Sequence, residues 1–369
     1  MKILQILPEL NAGGVERGTL EIARALVDAG HASVVVSTGG RLVPALEAAG
    51  SRHITLPVHR KSLVSLLQVR QLRRVLEKEK PDIVHARSRV PAWIAWMALR
   101  GMDAKTRPHF VTTVHGFYSI NFYSAIMTRG ERVIAVSHCI RDYITNNYPK
   151  TPAAAIHVIP RGVELAELPR GFAPDAGWLK TWTETLPQLA GKAVLLLPGR
   201  ITRLKGHEDF FGMVSGLKAE GILVHGLVVG DTHAKKKAYM AELHAAVDRL
   251  GLKDDVSFLG HRDDIREIMA VSHIVYCLSV QPESFGRTTL EAFAIGKPVV
   301  GYDHGGVGEQ LKALFPQGAV PLRDVGGLVR ATASILKTKA TPGLVAAPFT
   351  KEAMCEATLG VYRELVSGK

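Results

Sequence analysis

The sequence predicts an α/β protein built from two Rossmann-like, doubly wound parallel-sheet domains. Apolar strand-like runs alternate with helical patterns from the first residues onward, the arrangement of a parallel sheet covered on both faces. The alternation restarts after Ile159-Pro160-Arg161-Gly162-Val163-Glu164-Leu165, and a chain of 369 residues is longer than one hydrophobic core usually grows.

Strands are expected at Ile3 to Leu7, Ser33 to Val36, Ile83 to His85, Val111 to Val114 and Val133 to Val136. A second set follows at Val194 to Leu197, Gly226 to Val229, Val256 to Leu259, Ile274 to Cys277 and Pro298 to Gly301. Residues 1–165 are read as the first domain and 166–350 as the second, with a last helix from about Lys351 to Val366. The stretch from Pro169 to Leu189, rich in Trp and Pro, reads as an insertion or lead-in to the second domain.

Composition bounds the class. With 47% hydrophobic and 22% charged residues the chain is globular rather than disordered. Cys139, Cys277 and Cys355 have neither metal-ligand spacing nor even pairing, which fits a reducing cytosol. Met1 leads straight into a strand, so no signal peptide is expected, and no apolar run approaches the roughly 20 residues that span a bilayer. Any membrane contact is expected to be peripheral, at the inner face of the cytoplasmic membrane. The net charge of +12 is uneven: Met1 to Leu165 carries 22 Lys and Arg against 12 Asp and Glu, the remainder 24 against 22. Such a basic half suits nucleic acid, anionic lipid or phosphorylated glycan.

The richest segment runs Pro282-Glu283-Ser284-Phe285-Gly286-Arg287-Thr288-Thr289-Leu290-Glu291-Ala292-Phe293-Ala294-Ile295-Gly296-Lys297-Pro298-Val299-Val300. Its Pro, Ser and Gly mark a loop, Leu290, Phe293 and Ala294 recur at helical spacing, and Gly296 and Pro298 end the helix. Glu283 then lies in the loop and Glu291 about two turns inside the helix, on nearly the same face. The N–H groups of Phe285, Gly286 and Arg287 point from an open helix start, which favours an anion or a sugar hydroxyl. A carboxylate beside that cradle accepts charge-assisted bonds from hydroxyl-rich ligands. Two solvated helix charges are the plainer reading of the glutamates alone.

Asn11-Ala12-Gly13-Gly14-Val15-Glu16-Arg17-Gly18 is a turn leading into a helix. It does not match the dinucleotide fingerprint, so a nicotinamide cofactor is not expected. Gly13 and Gly14 serve either tight packing or close ligand approach. In Pro198-Gly199-Arg200-Ile201-Thr202-Arg203-Leu204-Lys205-Gly206, Arg200 and Lys205 stand at a strand's C-terminal end, where open α/β sheets bind ligands. Two cations there would neutralise a pyrophosphate. His115, in Thr113-Val114-His115-Gly116-Phe117, also follows a strand; His85 reads as structural. No Asp-x-Asp metal pattern occurs.

The glutamate segment resembles the signature of family 4 of the retaining glycosyltransferases, GT-B enzymes that move a sugar from a nucleotide diphosphate to an acceptor. The resemblance covers nearly the whole chain and comes nearest to enzymes of lipopolysaccharide cores and other envelope glycans. It implies two domains facing across a cleft, with the last helix (351–369) crossing back onto the first. It implies that Glu283 faces the donor sugar and Glu291 holds the ribose hydroxyls, with Phe285, Gly286 and Arg287 in the donor site. Gly-Arg-x4-Lys-Gly is similar to the family's diphosphate clamp, which assigns Arg200 and Lys205 and replaces a metal ion. Gly13 and Gly14 match a Gly-Gly turn facing the cleft, His115 a donor-sugar contact, and Leu259 and Arg262 the loop that holds the nucleobase. By analogy the carrier is UDP. The chain departs from the family at Gly230-Asp231, where Thr232-His233-Ala234-Lys235-Lys236-Lys237 replaces the usual Gly-Pro.

Leu56 to Lys80 reads as one helix with seven Lys and Arg against two Glu. It is either a solvated domain helix or a dock for anionic membrane through Arg60, Lys61, Arg70, Arg73 and Arg74. Arg87, Arg89, Trp93 and Trp96 are candidates to extend that surface; Phe117, Tyr118, Phe122 and Tyr123 either line an acceptor path or pack. The alternative enzyme is a sugar-nucleotide epimerase on the same scaffold. A nucleic-acid-binding protein would explain the pI of 9.6 and neither the glutamate loop nor the clamp, so no nucleic-acid partner is expected.

Overall fold

The computed structural model describes residues 1–11, 13–59, 65–231 and 237–368. The chain divides into two compact units, Met1–Gly162 with Pro348–Lys369, and Val163–Ala347.

In the first unit, β1 (Lys2–Ile6), α1 (Gly14–Asp28), β2 (Ala32–Ser37), α2 (Val43–Ala48), β3 (Arg52–Thr55), α3 (Ser65–Glu79), β4 (Ile83–Ala86) and α4 (Arg89–Arg100) alternate strictly. They continue as β5 (His109–Val114), β6 (Arg132–Ala135), α5 (His138–Asn147) and β7 (Ile156–Val158). The sheet is parallel throughout in the order β3-β2-β1-β4-β5-β6-β7. Ile3, Ile83 and Val111 are fully buried, as expected for central strands covered on both faces. The order reverses between β1 and β4, so the loops after these strands diverge and leave a topological switch point at their C-terminal edge.

The second unit opens with α6 (Ala176–Thr185), which folds the Trp-rich stretch into a helix capped by Asp175, with Trp178 and Trp182 stacked 4.9 Å apart. Then come β8 (Ala193–Pro198), α7 (His207–Ala219), β9 (Val224–Val229), α8 (Lys237–Arg249), β10 (Val256–Gly260), α9 (Ile265–Val271) and β11 (Ile274–Cys277). The unit ends with α10 (Arg287–Ala294), β12 (Val299–Tyr302), α11 (Gly305–Leu314), β13 (Ala319–Val320) and α12 (Val325–Thr338). This sheet is also parallel, ordered β10-β9-β8-β11-β12-β13, with its switch point between β8 and β11.

The C-terminal helix α13 (Lys351–Ser367) belongs to the first unit. Its Met354, Leu359, Tyr362 and Leu365 share one apolar cluster with Ile3, Ile22, Ile83 and Val111. Tyr362 also bonds His85 Nδ1 at 2.6 Å, and His85 Nε2 meets Thr113 Oγ1 at 2.6 Å, so this fully buried imidazole is a structural bridge.

The expected single helix from Leu56 to Lys80 is corrected. Leu56 to His59 are not helical; the Leu56 N–H instead bonds Ser37 O at 2.8 Å, beyond the end of β3, and Pro57 supplies no donor to a helix. Arg60 and Lys61 lie outside the described residues.

Candidate active site

In the second unit the switch point assembles three predicted residues from two loops. After β8 the chain passes Arg200, which is exposed, and makes one turn at Arg203–Lys205 before α7. Gly206 makes that turn possible: its φ is +68°, and a Cβ would lie 2.2 Å from Leu278 O at the end of β11. This close approach carries Lys205 to the loop after β11, where its Nζ lies 2.5 Å from Glu283 Oε1. Ser279 Oγ donates to the same oxygen at 2.5 Å.

Burial opposes the charge of both partners, and their mutual attraction outweighs it. The Glu283 carboxyl is held below the usual glutamate range, while Lys205 is raised above its own. Burial, with Glu283 adding to it, pushes the Cys277 thiol up to about 12, so Cys277 remains protonated and is no nucleophile at neutral pH. The site therefore offers a fixed carboxylate, a paired ammonium and an exposed guanidinium at one sheet edge.

Gly286 caps α10 in a left-handed conformation with no side-chain cap, which leaves the helix start open at Arg287. Phe285 is buried and its carbonyl accepts from Gln310 Nε2 at 2.5 Å, while Glu283 O accepts from Gly306 N at 2.8 Å; the loop is thereby held at both ends. Glu291 stands in the second turn of α10, half-buried, with Arg287 Nε 3.9 Å away.

Leu259 lies near the C-terminal end of β10, the edge strand, and Arg262 follows it. Arg262 makes a bidentate pair with Asp264 at 2.7 and 2.5 Å, and Trp178 Nε1 donates to the same carboxylate at 2.8 Å. These groups, with Trp182 and Leu259, line a cavity of about 400 Å³. The Arg262 bonds, then burial working against them, leave Asp264 lowered to about 2. Residues 232–236, where the sequence departs from the family pattern, lie outside the described residues.

In the first unit Gly13 caps α1 and Gly14 begins it. The Glu16 carboxylate folds back over that start, since a Cβ at Gly13 would sit 2.6 Å from Glu16 Oε2. His115 follows β5 and its Nδ1 is in short contact with Arg161 Nη2. Burial first, then Arg161, Arg87 and His85, hold His115 well below the usual imidazole range, so it is neutral. With Nδ1 accepting from arginine, its Nε2 carries the proton and can donate.

Of the expected basic surface, Arg70 and Arg74 are exposed, whereas Arg73 is half-buried and donates to Ala98 O at 3.3 Å, joining α3 to α4. Arg87 does not extend that surface: it is 2% exposed, because it leaves β4 beneath α1 and donates to Gln5 Oε1 at 2.9 Å. Trp93 and Trp96 do form a patch with Phe122, which is 70% exposed, and Arg129 lies over all three rings.

Sequence reasoning missed Ser279, Arg161 and Asp264. Ser279 lies only four residues before Glu283, a spacing that a search for the carboxylate's neighbours would have raised. Arg161 was visible only as part of a boundary segment, and nothing in its neighbourhood signals a partner 46 residues away.

Two family models match the chain in succession: Glycosyltransferase Family 4 over residues 12–167 and Glycosyl transferases group 1 over residues 181–343. Among relatives, a 2-deoxystreptamine N-acetyl-D-glucosaminyltransferase of Streptomyces fradiae is 25% identical, across 86% of this chain and 81% of that protein. The lipopolysaccharide core biosynthesis mannosyltransferase LpcC of Rhizobium leguminosarum is 30% identical across 52% of this chain and 51% of its own. A glycosyltransferase structure from Rickettsia africae matches at a TM-score of 0.86 with 28% identity, covering 100% of this chain and 99% of that one. Anabaena HepE in complex with UDP-glucose shares the fold at a TM-score of 0.72 and 22% identity, over 100% and 96% of the two chains. The successive models, the paired parallel sheets and the full-length structural match have one meaning: this chain belongs to the family 4 glycosyltransferases of the GT-B fold.

Proposed function

We propose that the protein is a retaining glycosyltransferase that moves a sugar from UDP to a hydroxyl of a lipopolysaccharide core or related envelope glycan, without a metal ion. The observation that carries this reading is the Lys205–Glu283 pair beside Arg200 at the β8/β11 switch point. A nucleotide diphosphate brought there meets two cations that offset the charge developing on the leaving group. Glu283, kept ionised, faces the donor sugar; Glu291 takes the ribose hydroxyls, and Leu259 and Arg262 stand on the nucleobase side. The acceptor hydroxyl attacks the anomeric carbon on the face that the nucleotide leaves, the bond to the β-phosphate oxygen breaks, and the β-phosphate takes the hydroxyl proton.

The UDP-glucose complex of HepE supports the choice of carrier, and the lipopolysaccharide activity named for LpcC supports the acceptor class. Exposed Arg70 and Arg74 and the aromatic patch at Phe122 support a peripheral approach to an anionic membrane where such acceptors are built. Among the described residues no helix is long and apolar enough to cross a membrane.

Thermal unfolding with UDP, GDP and ADP, each with and without EDTA, tests the donor site. A ligand at about 100 times its Kd adds roughly 2.7 kcal/mol, a shift of a few degrees. A UDP-selective shift that survives EDTA is expected; silence toward all three nucleotides overturns the reading. Product analysis with UDP-sugars then separates transfer, which needs an acceptor, from epimerisation, which does not.

A further inference from the structure

The second unit carries a cavity at the edge of its sheet opposite the Lys205–Glu283 pair. It encloses about 270 Å³, and Ser272, His273, Lys297, Ile335, Leu336 and Lys339 are among the residues that line it. His273 stands one residue before β11, and Pro298, also in the lining, one residue before β12. Lys205 and Glu283 instead follow the C-terminal ends of β8 and β11. The length of a strand therefore separates the cavity from the pair.

Basic groups gather there without a counter-charge. Lys297 is half-buried, and among the described residues its Nζ has neither a hydrogen bond nor an ion pair. Its backbone N–H bonds Ala292 O at 2.9 Å, which fixes the root of the side chain at the end of α10. Burial holds the ammonium below the usual lysine range, with no carboxylate acting against it. His273 Nδ1 accepts from the Val194 N–H at 2.9 Å, and burial, then the Lys297 charge, keep the ring below the usual imidazole range. The neutral ring therefore carries its proton on Nε2, where it can donate. Lys339 is exposed and ends α12 at φ +52°. Arg170 passes beside the cavity at Gly296, where a Cβ would lie 3.2 Å from its Cγ, and its guanidinium donates to the carbonyls of Pro342 and Gly343 at 2.9 and 3.3 Å. No Asp or Glu stands among the described residues that line the cavity. An oxyanion supplies what this set lacks: its lone pairs accept from ammonium and imidazole N–H at once, and its charge offsets the desolvation of Lys297. The volume falls just below the roughly 300–1,000 Å³ of sites for drug-sized ligands, so the occupant is small.

We propose that Lys297, His273 and Lys339 form a binding site for a phosphate group, free or carried by a single sugar, at the base of the second unit and apart from the donor nucleotide. The three donors come from three segments, the residue before β11, the turn after α10 and the end of α12, and packing brings them to one cavity. The site stands on these residues whether or not the chain transfers a sugar.

The test is titration calorimetry and thermal unfolding of the full-length protein with inorganic phosphate, with glucose 1-phosphate and with glucose as the neutral control, at constant ionic strength. Each is run with and without saturating UDP, because Arg200 and Lys205 are themselves suited to a phosphate. Phosphate, glucose 1-phosphate or both are expected to bind the wild type with UDP present, while glucose does not. A response to glucose 1-phosphate alone indicates a sugar phosphate, and a response to both the phosphate group itself. Lys297→Met keeps the apolar stem and removes the charge. It is expected to weaken that binding roughly tenfold or more, the loss of a hydrogen bond to a charged group, with the UDP response intact. Lys339→Gly removes a charge at a position whose φ suits glycine, so it keeps the fold testable if the first variant does not express; a several-fold weakening is expected. Silence of the UDP-loaded wild type toward both phosphates, a response to glucose equal to theirs, or undiminished binding in Lys297→Met overturns the proposal. Should Lys297→Met fail to express, undiminished binding in Lys339→Gly overturns it. Absence of a UDP response alone overturns the transferase reading and leaves the phosphate site standing.

Discussion

Lys205 Nζ and Glu283 Oε1 lie 2.5 Å apart although 78 residues separate them in sequence. The contact joins the loop after β8 to the loop after β11, the two strands that flank the switch point of the second sheet. Each partner preserves the other's charge against burial, so the carboxylate and the ammonium are both in place before any ligand arrives.

Replacing either residue separates two roles. Lys205→Ala is expected to lower UDP affinity and to reduce turnover by about 10²–10³-fold, the usual loss when one charge-stabilising donor is removed. Glu283→Ala should bind UDP nearly as well and lose turnover by a similar factor. Calorimetry with UDP and initial-rate assays check both, and a Glu283→Ala enzyme of wild-type kcat sinks the assignment.

Gly206→Ala tests how the pair is built. At φ +68° with Leu278 O in the way, an added methyl strains the turn and displaces the lysine. A loss of about 1–3 kcal/mol in urea unfolding is expected, together with the turnover defect of Lys205→Ala. Unchanged turnover in this variant shows that the lysine does not depend on the turn.

Tyr362→Phe removes one hydroxyl and leaves the buried Nδ1 of His85 without its partner on α13. The expected cost is about 1–3 kcal/mol, read as a lower urea midpoint with an unchanged slope. A midpoint within error of wild type excludes the bond as a fastening of the C-terminal helix.

Asp264 supplies a pH dependence. Its carboxyl is lowered to about 2 from 3.8, so its contribution is fully present above pH 3.8 and lost as the pH falls through the folded value. Urea unfolding of wild type and Asp264→Asn should differ by a constant amount, on the order of 1–2 kcal/mol after allowance for partial exposure, above about pH 4. The difference should shrink toward zero near pH 2; a gap that widens with acid reverses the sign and refutes the assignment.

Phe122 and Arg129 test the membrane approach. Sedimentation with vesicles containing anionic lipid is expected to bring down the wild-type protein, less so at high salt, and hardly any of a Phe122→Ala, Arg129→Ala double variant. Equal binding to zwitterionic vesicles argues against an electrostatic dock.

The central strands were legible because a parallel sheet buried on both faces needs continuous apolar runs, and Ile83, Val111, Leu195 and Val275 each stand in one. The strands β3, β7 and β13 were not anticipated. They are short edge strands, partly exposed, and such strands carry no run that sets them apart from a loop. Local pattern also placed Lys205 beside a turn at a strand end and Glu283 in the loop before a helix, since Gly206 and Gly286 mark the turns beside them.

By itself the sequence determined the alternation of strands and helices, the two-part division and which loops bear chemistry, all matters of residues near one another along the chain. The tertiary structure alone decided that Lys205 reaches Glu283, that Tyr362 fastens to His85, and that Arg87 lies buried beside Arg161 instead of on a basic surface. Side-chain partners are selected by what packing brings within about 3 Å, and contacts between distant segments leave no periodic trace in either one.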